Sequence, residues 1–118
     1  MSLASFEKAL GGRGEIEISV TGRSSGRKIT NPVWFVQEGE ELYLLPVRGS
    51  DTDWYRNVLK TATIWLGADV TEFRATANPI TEPAQVRDVV DKFRAKYGAE
   101  EIERYYNRLD VALEIPLR

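Results

Sequence analysis

Between Glu15 and Val47 the apolar segments are separated only by short, glycine-bearing turns, and that spacing restricts the fold more than any other feature of the chain. Ile16, Ile18 and Val20 alternate with Glu15, Glu17 and Ser19, the period-two pattern of a strand with one face buried. Gly22 to Gly26 interrupts the pattern. Ile29 to Gln37 then reads as a returning strand rich in β-branched and aromatic residues, with Pro32 marking an edge position or a bulge. After a turn at Gln37-Glu38-Gly39-Glu40, Leu42 to Val47 forms a third strand. Parallel neighbours would need a crossover of about a dozen residues or more, which these turns do not provide. The segment therefore predicts an antiparallel meander.

Downstream, Thr52 or Asp53 can cap a short helix from Trp54 to Lys60. Ala62 to Leu66 and Val70 to Ala77 read as a hairpin around Gly67-Ala68-Asp69. Thr81-Glu82-Pro83 opens a helix whose buried stripe is Val86, Val89, Val90, Phe93 and Tyr97, ended by Gly98. A second helix would place Ile102, Tyr105, Tyr106 and Leu109 on one face, before a last strand from Val111 to Leu117. About six strands in this order suit a small antiparallel barrel better than an alternating βαβ fold.

The composition excludes several chemistries. The 118 residues are 42% hydrophobic and 29% charged, which is ordinary for one folded domain spanning residues 1–118. The absence of cysteine removes disulfides, thiol catalysis and thiolate metal sites. The absence of histidine removes the commonest general base and metal ligand. No metal site is expected, and a histidine-ligated haem or a histidine-based triad is out. A net charge of −2 does not favour nucleic acid. No apolar run approaches the roughly 18 residues of a membrane span, and the start lacks the basic-then-apolar pattern of a signal peptide, so the expected location is cytoplasmic. Basic residues nevertheless gather locally, at Arg23, Arg27, Lys28, Arg48 and Arg56, in or beside the glycine turns.

Two segments could carry chemistry. In Gly22-Arg23-Ser24-Ser25-Gly26-Arg27-Lys28, glycines let backbone amides converge, hydroxyls add donors and arginine offers a fork to phosphate or carboxylate. A plain hairpin tip collects the same residue types because it is solvated. In Arg48-Gly49-Ser50 followed by Trp54-Tyr55-Arg56-Asn57, a helix start exposes unpaired amides and two aromatics could wall a ring. The alternative is that Trp54, Val58 and Leu59 form the buried face of a short helix.

Taken in order, Thr21 to Gly26, Asn31-Pro32-Val33-Trp34-Phe35, Glu38-Gly39, Val47-Arg48-Gly49 and Trp54-Tyr55-Arg56-Asn57-Val58 resemble the deazaflavin-dependent nitroreductase family. These are small oxidoreductases related to the pyridoxamine-phosphate-oxidase-like proteins that bind FMN. The resemblance covers residues 15 to 67; beyond that, only the order of elements agrees. It implies a mainly β (α+β) fold, a six-stranded antiparallel split β-barrel with a short helix between strands 3 and 4 and a helical pair before the last strand. It implies that Arg23, with Ser24 and Ser25, holds the cofactor's phosphate, that Asn31 and Pro32 line the groove, and that Val47, Arg48, Gly49, Trp54 and Tyr55 contact the ring or its linker. Trp34 and Tyr105 are the candidate substrate contacts, with Tyr106 expected in the core. Members often carry basic residues where this chain has Ser24 and Ile29. The implied cofactor is the deazaflavin coenzyme F-420, with FMN as the alternative. The implied activity is hydride transfer to a quinone, nitroaromatic or other conjugated acceptor, for which no catalytic side chain is assigned because the cofactor carries the chemistry. The rival reading is a non-catalytic flavin or deazaflavin binding or storage module on the same barrel. The expected partner is a small-molecule acceptor, and a homodimer would cover any apolar face left open.

Overall fold

The computed structural model describes residues 3–117. The elements are α1 (Leu3–Leu10), β1 (Ile16–Thr21), β2 (Lys28–Val33), β3 (Phe35–Glu38), β4 (Glu41–Leu44), α2 (Asp53–Lys60), β5 (Thr63–Ala68), β6 (Thr71–Thr76), β7 (Asn78–Ile80), α3 (Pro83–Tyr97), α4 (Ala99–Tyr105) and β8 (Ala112–Pro116). The strands form two four-stranded sheets, ordered β2-β1-β5-β6 and β3-β4-β8-β7, with every strand pair antiparallel. Among the described residues no helix is long and apolar enough to cross a membrane.

The α+β class and the antiparallel pairing are as expected, and the six-stranded barrel is replaced by eight strands in two sheets that do not close. The reason lies at two corners. The run from Ile29 to Gln37 is one apolar segment in sequence, but the chain leaves the first sheet after Val33 and enters the second at Phe35, with Trp34 between. Ala77 is the second corner, between β6 and β7. The short helix consequently follows the fourth strand rather than the third, whereas the helical pair does precede the last strand. The helix α1 precedes the first element expected from the sequence. Second, α4 ends at Tyr105, so Tyr106 caps it and Leu109 lies beyond it.

Alternation explains the core. On β4 and β8, Leu42, Leu44, Leu113 and Ile115 face β1 and β5, meeting Ile18, Val20, Ile64 and Leu66. The intervening Tyr43 and Ala112 face α3, where Val86, Val89, Val90 and Phe93 cover them. The central strands β4 and β8 of the second sheet are therefore covered on both faces, and each large apolar side chain removed from water contributes about 1.5–3 kcal/mol. Glu82 caps α3 by accepting from the amides of Ala84 and Gln85 at 3.1 and 2.8 Å, which holds its carboxyl below the usual range. Pro83 opens the helix where its missing amide costs nothing, and Gly98 closes it.

Candidate functional site

The glycine turn joins β1 to β2. The Gly22 amide donates to the Arg27 carbonyl at 2.8 Å, the Gly26 amide donates to the Gly22 carbonyl at 2.9 Å, and the Ser25 hydroxyl accepts from the Arg27 amide at 3.1 Å. Gly26 has φ +72°, a conformation that glycine adopts without penalty. The turn packs against α2, and a cleft of about 370 Å³ opens between them. Gly22, Arg23, Ser24 and Ser25 line it from the turn, Ile29 and Asn31 from β2, and Asp53, Trp54 and Asn57 from α2. The two candidate segments thus meet, joined through the helix.

The strand register gives the cleft its character. Asn31 and Ile29 pair with Ile18 and Val20, which are fully buried. Paired residues on neighbouring strands share a face, so Asn31 and Ile29 sit on the core side of the first sheet. Ile29 is nevertheless 40% exposed. The edge strand β2 thus carries core-facing positions left partly open, Ile29 exposed and Asn31 half-buried, and the nearly buried Trp54 borders the opening. Pro32 is on the opposite face, across from Glu17, and does not line the cleft.

Three residues of α2 hold Arg23. The side-chain oxygen of Asn57 accepts from the Arg23 amide at 3.0 Å and from Nη1 of its guanidinium at 2.8 Å. Nη1 also donates to the Asp53 carbonyl at 3.2 Å, while Nη2 lies 3.6 Å from the Asp53 carboxylate. Lys60 Nζ donates to the Arg23 carbonyl at 2.7 Å. Asp53, Asn57 and Lys60 recur at i, i+4 and i+7, one face of a helix; that spacing was the available signal for Asn57, which the sequence reading left unassigned.

The remaining candidates sit elsewhere. Thr52 does not cap α2 through its side chain; its hydroxyl accepts from the Arg48 amide at 2.8 Å. Val47 and Arg48 are exposed, and their loop is tied to the chain after α4: the Asn107 amide donates to the Val47 carbonyl at 2.9 Å. Ser50 donates to Asp110 from its amide and hydroxyl, at 2.9 and 2.6 Å. Burial works against the Asp110 carboxylate, but the Ser50 bonds and the Arg108 charge outweigh it and hold the carboxyl below its ordinary range. Gly49 is buried against this pair, and Tyr55, 3% exposed, belongs to the main core. Burial, then the Asp110 charge, pushes the Tyr55 phenol up. None of Val47, Arg48, Gly49 and Tyr55 lines the cleft.

Trp34 and Tyr105 do come together. Trp34 stacks on Tyr97 with ring centroids 4.4 Å apart and meets Tyr105 edge-on at 5.4 Å. Tyr105 is 49% exposed, whereas Tyr106 is buried. The Tyr97 hydroxyl accepts from the Phe35 amide at 3.0 Å and reaches the Gly14 and Phe35 carbonyls, each at 2.8 Å. This fixes the aromatic cluster to the Trp34 corner. Among the described residues, no group of three or more acidic side chains is placed to hold a metal.

A family model described as "Uncharacterized protein conserved in bacteria (DUF2255)" matches residues 8–110. No curated protein matches the sequence. Similar solved structures include an F420-H2-dependent reductase, FDR-A, 20% identical over 87% of this chain and 94% of that one, with a TM-score of 0.67. A domain-swapped dimer is 20% identical over 87% of this chain and 80% of its own, with a TM-score of 0.68. HutZ, the heme storage protein from Vibrio cholerae, is 17% identical over 98% and 90%, with a TM-score of 0.72. At these identities the likeness shows a shared fold.

Proposed function

We propose that this chain, which belongs to the DUF2255 family of proteins conserved in bacteria, is a cytoplasmic, single-domain reductase whose cleft holds a deazaflavin of the F-420 type, with FMN as the alternative. The observation that carries the reading is the partly open core side of β2 at Ile29 and Asn31, an apolar and amide surface bordered by Trp54 and ended by a basic turn. A flat ring with a phosphorylated tail fits that combination, and about 370 Å³ lies within the usual range of ligand sites. The F420-H2-dependent reductase among the similar structures supports it.

In this reading Arg23, Ser24 and Ser25 hold the phosphate, and Asn31 and Trp54 flank the ring. Val47 and Arg48, exposed on the loop ahead of α2, are proposed to meet the cofactor's linker where it leaves the cleft, while Gly49 and Tyr55 are buried and hold that loop and α2 in place. When bound, the cofactor supplies the hydride, and an acceptor such as a quinone or nitroaromatic takes it. Trp34 and Tyr105 are the proposed acceptor contacts, because Tyr105 is the exposed member of the aromatic cluster. A homodimer, by analogy with the domain-swapped structure, is the proposed assembly.

One observation favours the second reading, a non-catalytic binding or storage module. Besides two serine hydroxyls, an arginine and an exposed aspartate, the side chains lining the cleft are Ile29, Asn31, Trp54 and Asn57, an assortment suited to holding a ring and its tail. Calorimetry with F-420 and FMN tests the cofactor, and turnover of a quinone by the loaded protein tests the activity. Deazaflavin is expected to bind tighter. A tenfold preference for FMN, about 1.4 kcal/mol, overturns the cofactor assignment, and binding without turnover leaves the storage module.

A further inference from the structure

Arg23 has both of its backbone polar atoms bound by side chains of a single helix. Asn57 takes its amide and Lys60 its carbonyl, at 3.0 and 2.7 Å, and the Asn57 oxygen also accepts from the guanidinium. A hairpin tip needs none of this to exist; its own bonds at Gly22 and Gly26 already close it. Asn57 is only 5% exposed, so the chain places a polar side chain in a buried position and spends its oxygen on one residue of the neighbouring turn. The same helix carries Trp54, one turn before Asn57.

The consequence is geometric. Nη1 is engaged by Asn57 and by the Asp53 carbonyl, and among the described residues Nε and Nη2 donate no hydrogen bond. The Nη1 end of the planar fork is thus locked to α2, while Nε and Nη2 keep their hydrogen-bond capacity, with Nη2 facing the exposed Asp53 carboxylate at 3.6 Å. A fork held in place loses less freedom on meeting an oxyanion than a free arginine does.

Resting on the cofactor reading above, we infer that Asn57 and Lys60 are positioning residues that fix the Nε and Nη2 edge of Arg23 at a set distance from Trp54, so that the cleft selects the phosphorylated form of a ring ligand over its phosphate-free form, the phosphate displacing the exposed Asp53 carboxylate from Nη2. Their effect falls on discrimination between the two forms, whereas a purely structural role would weaken both alike.

The experiment measures affinity for two pairs of probes, FMN with riboflavin and F-420 with its phosphate-free deazaflavin core, in wild type, Asn57→Leu, Lys60→Met and Lys60→Gln. Wild type is expected to prefer the phosphorylated member by about tenfold or more, the worth of a charge-assisted fork contact. In Asn57→Leu that ratio is expected to fall toward one, with the phosphorylated member losing much more affinity than the phosphate-free member. Should Asn57→Leu not fold, the exposed Lys60 carries the test. Lys60→Met is expected to lower the ratio several-fold, and Lys60→Gln, uncharged yet still a donor, to lower it less. An unchanged ratio in Asn57→Leu and Lys60→Met overturns the inference and leaves the cofactor reading standing. Equal loss in the two Lys60 variants removes Lys60 as a positioning residue. A wild type that binds none of the four probes overturns the cofactor reading, and this inference with it.

Discussion

Replacing Gly49 by alanine should damage the fold far more than replacing Gly26, although both glycines have positive φ, +55° and +72°. An alanine in that region costs about 1–2 kcal/mol at either site, offset by about 0.4–1 kcal/mol from its stiffer unfolded chain. At Gly26 nothing stands near an added Cβ, so the net loss is about 1 kcal/mol. At Gly49 the new Cβ would overlap the Asp110 carboxylate, with Arg108 Cγ and the Arg108 carbonyl each at 3.0 Å. Backbone cannot swing aside there, so Asp110 must move and release both Ser50 bonds. Bonds to a charged group are worth about 1.5–3 kcal/mol each. Taken once and at the low end, because Asp110 keeps contact with water, they bring the total for Gly49→Ala to about 2.5 kcal/mol. With a urea slope of about 1.5 kcal/mol/M, the midpoint should fall by about 1.7 M, against about 0.7 M for Gly26→Ala. The three tryptophans supply the fluorescence signal. Equal midpoints for the two variants would refute the claim that Gly49 is required by its neighbours rather than by its backbone angle alone.

Glu114 faces Tyr43 across the register of β4 and β8. Burial first, then the charge and hydrogen bond of Glu41, raise its carboxyl above the usual 4.5. Within the window from that value up to the raised one, the fold keeps a proton that the unfolded chain releases, so stability falls as pH rises; Glu114→Gln should flatten that fall in unfolding curves between pH 4 and 7, and an unchanged slope would count against it. Tyr106, buried against Phe93 and Trp34, should cost about 3–5 kcal/mol as Tyr106→Ala, whereas the exposed Tyr105→Ala should melt near wild type. Matching melting temperatures for the two would contradict the placement of these neighbouring rings.

Much of the first sheet was legible because one face is buried, and alternation along β1 records which. The corner at Trp34 was not, since a strand that changes sheets keeps its apolar residues and shows no break in period. The helix α1 is eight residues long, too short for propensity to establish it; it is held by Phe6, fully buried and stacked on Phe73 at 5.3 Å. At the cleft, the turn and α2 could be named from residue types. Which arginine the helix grips, and that Tyr55 points into the core while Ile29 stays open, depended on strand register and on how α2 docks. Neither is encoded within either segment alone.

The two corners also set where relatives of this chain can change length. At Trp34 and Ala77 a single residue separates a strand of one sheet from a strand of the other. Side chains alternate faces with every residue, so one added residue at a corner would turn an entire downstream strand inside out. The hairpin tips at Gly39-Glu40 and Asp69-Val70 bear no such constraint, because an extra residue there extends into solvent. Natural length variation among kin should therefore collect at the tips and spare the corners, leaving the two sheets to diverge in sequence while their junctions stay fixed in count.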